Sequence, residues 1–149
     1  MGHIFFKIWI HVVWSTKERY PYLSNEIRYK VFNHILVKAR EKGYYIDMIN
    51  GYVDHCHILI SLNPKFAVSE IVNIFKGESS HWINSEKLTP VHFAWQEGYS
   101  SFSVSQSHIE RVRNYIKNQE THHKKQHFAD ELKKIIELHN MEFDKKYLL

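Results

Sequence analysis

From Ile4 to Trp14 the chain runs through β-branched and aromatic side chains without a glycine or proline, a pattern that predicts a long strand. Ser15 to Leu23 (STKERYPYL) follows as a polar loop that carries Lys17, Arg19 and Pro21. Ser24 then stands where a helix N-cap belongs, Ile27, Val31, Ile35 and Ala39 recur at four-residue spacing, and Gly43 sits where a helix end takes a left-handed residue. A first amphipathic helix is therefore expected between Ser24 and Gly43. Tyr44 to Asn50 and Tyr52 to Leu62 read as two strands joined tightly around Asn50 and Gly51, because glycine tolerates the positive φ of a two-residue hairpin turn.

After Pro64, the residues Val68, Ile71, Ile74 or Phe75, and Trp82 fall at roughly helical spacing, with Gly77 as an interruption. Val91 to Val104 has the look of short strands on either side of Gln96, Glu97 and Gly98. From Ser107 onward the period is helical again, with Ile109, Val112 and Ile116 in one stripe and Phe128, Leu132 and Ile135 in another. Strand, helix, strand, strand, helix, strand, helix is the order of an α+β chain. It fits the ferredoxin-like (split βαβ) plan, an antiparallel sheet with helices on one face and a further C-terminal helix. No linker or low-complexity segment divides the chain, so residues 1–149 are expected to form a single domain.

Composition changes this picture in two respects. Nine Tyr, nine Phe and four Trp supply more stackable rings than a core of this size requires, and 12 His supply many candidate ligands or proton carriers. A formal net charge of +4 favours a polyanionic partner without demanding one. The lone Cys56 excludes an intramolecular disulfide, and His3 and Lys7 break the N-terminal run where a signal peptide would be apolar. No apolar stretch approaches the roughly 20 residues that span a bilayer. A cytoplasmic protein with no membrane partner is the expectation.

Along the strand Tyr52 to Leu62 a period of two sends Val53, His55, His57, Leu59 and Ser61 one way and Asp54, Cys56, Ile58, Ile60 and Leu62 the other. Two imidazoles therefore leave the sheet side by side, about 7 Å apart at Cβ, from where both can reach a single ion. Cys56 faces the apolar side and reads as a small buried hydrophobe. Farther on, Tyr115 and Gln119 stand four apart on one helical face, with Arg111 a turn earlier. Taken alone, the histidine pair reads as chance in a histidine-rich chain, and Tyr115 reads as an aromatic at the core's edge beside Val112 and Ile116. His122, His123 and His127, on a polar lysine-rich helix end, are expected to face solvent or DNA. Without a carboxylate cluster beside His55 and His57, a metal hydrolase is disfavoured, and Asp54 is expected to face away. The absence of a Gly-x-x-x-x-Gly-Lys loop argues against a nucleotide cofactor.

Together these segments resemble the single-tyrosine HUH transposases of the smallest bacterial insertion sequences and the related REP-associated tyrosine transposases. The resemblance is carried by His11 to Arg19 (HVVWSTKER), Val53 to Ile60 (VDHCHILI), Phe75 to Ser80 (FKGESS) and Trp95 to Tyr99 (WQEGY). It continues through Val112 to Gln119 (VRNYIKNQ), His122 and His123, and ends at Phe143 to Tyr147 (FDKKY). One departure is Cys56, where the family usually places a bulky hydrophobe.

The resemblance implies a C-terminal catalytic helix bearing the nucleophile Tyr115, with His55, His57 and Gln119 holding Mg²⁺ or Mn²⁺. The expected reaction cleaves and rejoins single-stranded DNA with hairpin ends through a 5′-phosphotyrosine, without ATP. Lys17, Arg19, Arg111, Arg113 and Lys117 become candidate phosphate contacts. A homodimer is implied too, with the Tyr115 helix able to dock on the partner's His55 and His57. The rival from another class is a domesticated or non-catalytic module of the same fold that binds single strands by stacking.

Overall fold

The computed structural model describes residues 2–123 and 126–139. The family segment Phe143 to Tyr147 lies outside the described residues. Strand β1 (Trp9–Ser15) leads through a 3-10 turn at Lys17–Arg19 into α1 (Asn25–Lys42), and β2 (Tyr45–Tyr52) and β3 (His55–Ser61) follow as a hairpin. Next come α2 (Val68–Ser85), β4 (Ser100–Val104), α3 (Ile109–Lys117), α4 (Gln119–His123) and α5 (Phe128–Leu138). The sheet order is β2-β3-β1-β4 with every neighbouring pair antiparallel, the arrangement expected of a ferredoxin-like chain. Among the described residues no helix is long and apolar enough to cross a membrane.

Alternation along the two central strands divides the molecule into two layers. Val12 and Trp14 on β1 and Cys56, Ile58 and Ile60 on β3 face α1 and α2, where Val31, Phe32, Ile35, Ile71, Val72 and Phe75 close the main core. Cys56 is fully buried there as a hydrophobe, and burial pushes its thiol pKa up. Two of the segments quoted above meet at the edge of this core. Lys76 Nζ donates to the carbonyls of Gln96 and Gly98, 2.6 Å each, and Trp95 Nε1 donates to Ser79 Oγ at 2.9 Å.

The opposite face of the sheet is covered by the C-terminal helices through two smaller apolar clusters. Trp9 and Leu59 pack with Ile109 and Ile116 of α3, whereas Val13 and Phe102 pack with Phe128, Leu132, Ile135 and Ile136 of α5. The helical stripes of the sequence are thus the docking faces of α3 and α5.

Five local expectations change. The first strand, expected from Ile4, begins only at Trp9, and Ile4 and Phe5 before it are exposed. The reversal between β2 and β3 falls at Val53 and Asp54, and Gly51 lies inside β2, paired with Cys56. Glycine is needed at that position for close approach: a Cβ there would stand 2.1 Å from the His55 carbonyl oxygen and 2.8 Å from Cys56 Cα. Asn50 also has a different role, since its Nδ2 donates to the Ile116 and Lys117 carbonyls (3.0 and 3.1 Å) and caps the end of α3. Gly77 does not interrupt α2, which runs unbroken through it. Of the strands expected around Gln96, only β4 forms; the earlier segment contributes a single bridge between Trp95 and Thr16. The tail is three helices because α3 ends at Asn118, whose φ of −96° and ψ of 19° depart from helix before α4 begins.

Candidate active site

The sheet face under the C-terminal helices holds a buried polar island between two apolar clusters. His55 and His57 alternate on β3 and so project together, and His11 projects beside them from β1, opposite Leu59 in the register. All three are buried, His55 and His57 completely. Gln119, at the first position of α4, is fully buried above them, and its Oε1 lies 2.9 Å from His55 Nε2. Tyr115, one turn back on α3, is half-buried, with its ring edge-on to His57 at a centroid distance of 5.6 Å. The structure therefore brings Tyr115, His55, His57 and Gln119 together within one chain.

Three further side chains complete the island: Glu131, His123 and His122, whose Nε2 lies 3.2 Å from Glu131 Oε2. Glu131 on α5 is 1% exposed. Its Oε1 lies 2.6 Å from His57 Nε2 and 3.6 Å from His55 Nε2, and its Oε2 lies 2.6 Å from His123 Nε2. It also accepts from Gln119 Nε2 at 3.3 Å. His123 was expected to face solvent or DNA; instead its side chain is 2% exposed and turns inward, its Nδ1 held 2.7 Å from the Gln126 carbonyl. The break at Asn118 starts a new helix axis and so rotates His123 toward β3. His127 is exposed as expected, and His122 is half-buried. Asp54, expected to face away, sits in the turn before β3 and accepts from His55 Nδ1 at 2.8 Å.

A signal for Glu131 was present in the sequence. It lies three residues after Phe128 and four before Ile135, on the apolar stripe of its helix, where a carboxylate is paired or costly. His123 carried no comparable signal, because nothing local specifies the break at Asn118.

The electrostatics follow from burial and from the single carboxylate. Burial, assisted by the neighbouring His57, pushes His11 down to about 3, and burial takes His57 down to about 4 despite its hydrogen bond to Glu131. Burial alone would raise Glu131; its hydrogen bonds to His123 and His57 outweigh that and hold it well below the usual carboxylate range. His123 is lowered by burial and raised more by Glu131, for a net shift upward. Tyr115 is raised, first by burial and then by the Glu131 carboxylate beside it.

The donor set fits a divalent cation. His55, His57, His123 and Glu131 each offer a ligand atom, and these atoms lie within 4.8 Å of one another. With its Nδ1–H committed to Asp54, a neutral His55 turns an Nε2 lone pair toward the Gln119 carbonyl oxygen. Two acceptors facing each other at 2.9 Å call for a cation or a proton between them.

The candidate phosphate contacts are spread around this site. Lys17 and Arg19 lie in the turn just after Ser15, which pairs with His55, and Lys17, Arg111 and Lys117 are exposed. Arg113 is already engaged, its guanidinium forked on Asp47 at 2.7 and 2.8 Å and bonded to Glu110. A cleft of 740 Å³ lined by His122, His127, Lys133 and Lys134 opens between α4 and α5.

A family model described as IS200-like transposase matches residues 4–119. Among solved structures the chain is similar to a candidate transposase from Deinococcus radiodurans R1, with a TM-score of 0.63 and 22% identity over 80% of this chain and 96% of that one. It is also similar to a REP-associated tyrosine transposase bound to a REP hairpin, with a TM-score of 0.59 and 16% identity over 83% of this chain and 73% of that one. At these identities the likeness speaks for the fold. No curated protein matches significantly.

Proposed function

The chain belongs to the IS200-like transposase family, and from that premise we propose that it cuts and rejoins single-stranded DNA through a covalent 5′-phosphotyrosine on Tyr115. The observation that carries this reading is the position of Tyr115, whose phenol stands at the rim of the island formed by His55, His57 and Gln119 on its own chain. A structural tyrosine at the edge of a core has no need of three buried polar partners beneath it.

The phenol oxygen attacks phosphorus, the bond from phosphorus to the upstream 3′ oxygen breaks, and that oxygen leaves as a 3′-hydroxyl with a proton gained. The 5′ phosphate remains esterified to Tyr115, so attack by another 3′-hydroxyl regenerates the phenol and joins new ends with no nucleotide cofactor. Tyr115 must lose its proton as it attacks, and its raised pKa makes the protonated form the resting one. By family resemblance, His55, His57 and Gln119 would hold Mg²⁺ or Mn²⁺. Such an ion would stabilise charge on the non-bridging oxygens of the scissile phosphate and screen Glu131 from the phenol.

The chain's own residues supply the rest. Asp54 and His11 fix the ring orientations of His55 and His57, and the Asn50 cap holds the end of α3 against β2 so that Tyr115 and Gln119 keep their spacing. Lys17, Arg19, Arg111 and Lys117 remain free to track a DNA backbone, and hairpin ends are the expected substrate. A homodimer is the expected assembly. Tyr115 already lies beside its own His57, which favours chemistry within one chain.

The test is incubation with single-stranded hairpin DNA from the element's ends and Mn²⁺ or Mg²⁺, followed by denaturing electrophoresis and mass spectrometry. A chelator-sensitive adduct on Tyr115 is expected, and Tyr115→Phe should bind the same DNA without forming it. An undiminished adduct in that variant removes Tyr115 as the nucleophile. Tight binding with no adduct in the parent chain points to a non-catalytic module.

A further inference from the structure

We propose that His123 and Glu131, rather than Gln119, complete the metal site of this chain with His55 and His57, making it a three-imidazole, one-carboxylate centre that selects a transition metal such as Mn²⁺, Co²⁺ or Zn²⁺ over Mg²⁺. The inference rests on the reading that His55 and His57 hold a metal. It goes further in assigning two ligands to the segment beyond residue 119, where the family match ends.

The assignment follows from which ring nitrogens are already committed. His55 Nδ1–H donates to Asp54 Oδ1 at 2.8 Å, and His123 Nδ1–H donates to the Gln126 carbonyl at 2.7 Å. His57 Nδ1 is paired with His11 Nε2 at 2.8 Å. Each imidazole is therefore anchored through Nδ1 by a carboxylate, a carbonyl or another ring, the outer-shell pattern that orients metal-bound histidine. All three Nε2 atoms then converge on one carboxylate, at 3.6 Å for His55, 2.6 Å for His57 and 2.6 Å for His123.

With Nδ1–H committed to Asp54 and to the Gln126 carbonyl, His55 and His123 turn Nε2 lone pairs toward the carboxylate, whereas His57 can donate Nε2–H to it when His11 donates to its Nδ1. One divalent ion at the focus satisfies all three rings and the carboxylate at once. The ligand atoms already lie within 4.8 Å of one another. Bonds of about 2.0–2.2 Å need donor separations of roughly 3–4 Å, so Glu131 would draw back slightly as the ion enters. The donor types set the preference, because imidazole suits Zn²⁺ and its neighbours, whereas Mg²⁺ prefers oxygen donors and retains its waters.

Co²⁺ serves as the probe, since its visible absorption reports coordination independently of DNA cleavage. The full chain, stripped of metal, should take up one equivalent of Co²⁺ with an intense low-coordinate spectrum, and Mn²⁺ should displace it far more readily than Mg²⁺. Glu131→Gln and His123→Ala should each weaken Co²⁺ binding by about 10-fold or more and change the band shape. Glu131→Asp should recover part of the loss, and circular dichroism without metal should show that each variant folds. Co²⁺ bound as tightly by Glu131→Gln as by the parent, with the same spectrum, would overturn the proposal, leaving Glu131 as a neutraliser of the histidines. Easy displacement of Co²⁺ by Mg²⁺ would overturn the selectivity. Uptake that survives His57→Ala, or no uptake by the parent, would instead refute the underlying metal reading.

Discussion

Replacing Gly51 by alanine tests the geometry that delivers His55 to the site. A Cβ at that position would meet only backbone: the His55 carbonyl oxygen at 2.1 Å, Cys56 Cα at 2.8 Å and the His55 carbonyl carbon at 3.0 Å. An ordinary carbon–oxygen contact is about 3.3 Å, so the strands must separate locally by roughly 1 Å. No side chain can swing aside to relieve the clash. The pairs Gly51 with Cys56 and Tyr52 with His55 are the last of the β2–β3 ladder before the turn at Val53 and Asp54 and would be lost first. Overpacking costs about 1–3 kcal/mol and each lost hydrogen bond about 1 kcal/mol, so a total near 3 kcal/mol is expected. For a chain of this size that corresponds to a fall in Tm of roughly 6–12 °C.

Thermal melts followed by circular dichroism would measure the effect, with Gly77→Ala as the control. Gly77 lies inside α2 with nothing within 4 Å of where a Cβ would be, so alanine there should stabilise by about 0.5–1 kcal/mol. The same substitution is thus expected to act with opposite sign at the two positions. A Gly51→Ala protein melting within about 2 °C of the parent would mean that the hairpin end relaxes freely, and that close approach does not fix His55.

Stability of the metal-free protein should fall as pH drops below about 6.5. His11 and His57 are held at about 3 and about 4 in the fold, so between those values and the ordinary 6.5 the unfolded chain binds more protons than the native one. The slope approaches about 1.4 kcal/mol per pH unit for each histidine in that window. His123, shifted upward, adds the opposite trend above 6.5, and a maximum near neutrality results. Urea midpoints from pH 8 to pH 4.5 that stay flat would contradict the buried neutral pair. A second variant, His11→Leu, removes the partner of His57 Nδ1 and should weaken Co²⁺ binding about 10- to 100-fold. His11→Gln should recover part of that loss, and titrations indistinguishable from the parent would leave His11 as packing alone.

What could be read from the chain was whatever depends on local period. The α1 helix is an example, with its spacing from Ile27 to Ala39 and its Gly43 end at a φ of 80°. The alternation that sends His55 and His57 to one face and Cys56 to the other is another, because a strand offers only two faces. The hairpin turn was misplaced for a reason of the same kind. Asn50 and Gly51 carry the composition of a tight turn, yet here they serve a helix cap and a close backbone contact, uses that depend on residues far along the chain. His123 and Glu131 were missed because their roles depend on how α4 and α5 lie over the sheet, which no local period specifies.

That dependence links folding to function. His55 and His57 are fixed by the central strand, but Tyr115 and Gln119 reach them only because Trp9 and Leu59 hold Ile109 and Ile116 at one end of the sheet face. Glu131 reaches them only because Val13 and Phe102 hold Phe128, Leu132 and Ile136 at the other. The two apolar clusters flank the polar island, and its candidate donors come from β3, α4 and α5 together. With Glu131 among the ligands as proposed, whatever binds at the focus would favour the state in which α5 is docked, by the ratio of its affinities for the docked and undocked forms. Glu131 converts this into a sign. Its carboxylate is already held by the hydrogen bonds to His123 and His57 that outweigh its burial, and a cation bound as proposed would add to that hold on α5. Docking of α5 and occupation of the site would then be one equilibrium, seen from the helix or from the metal.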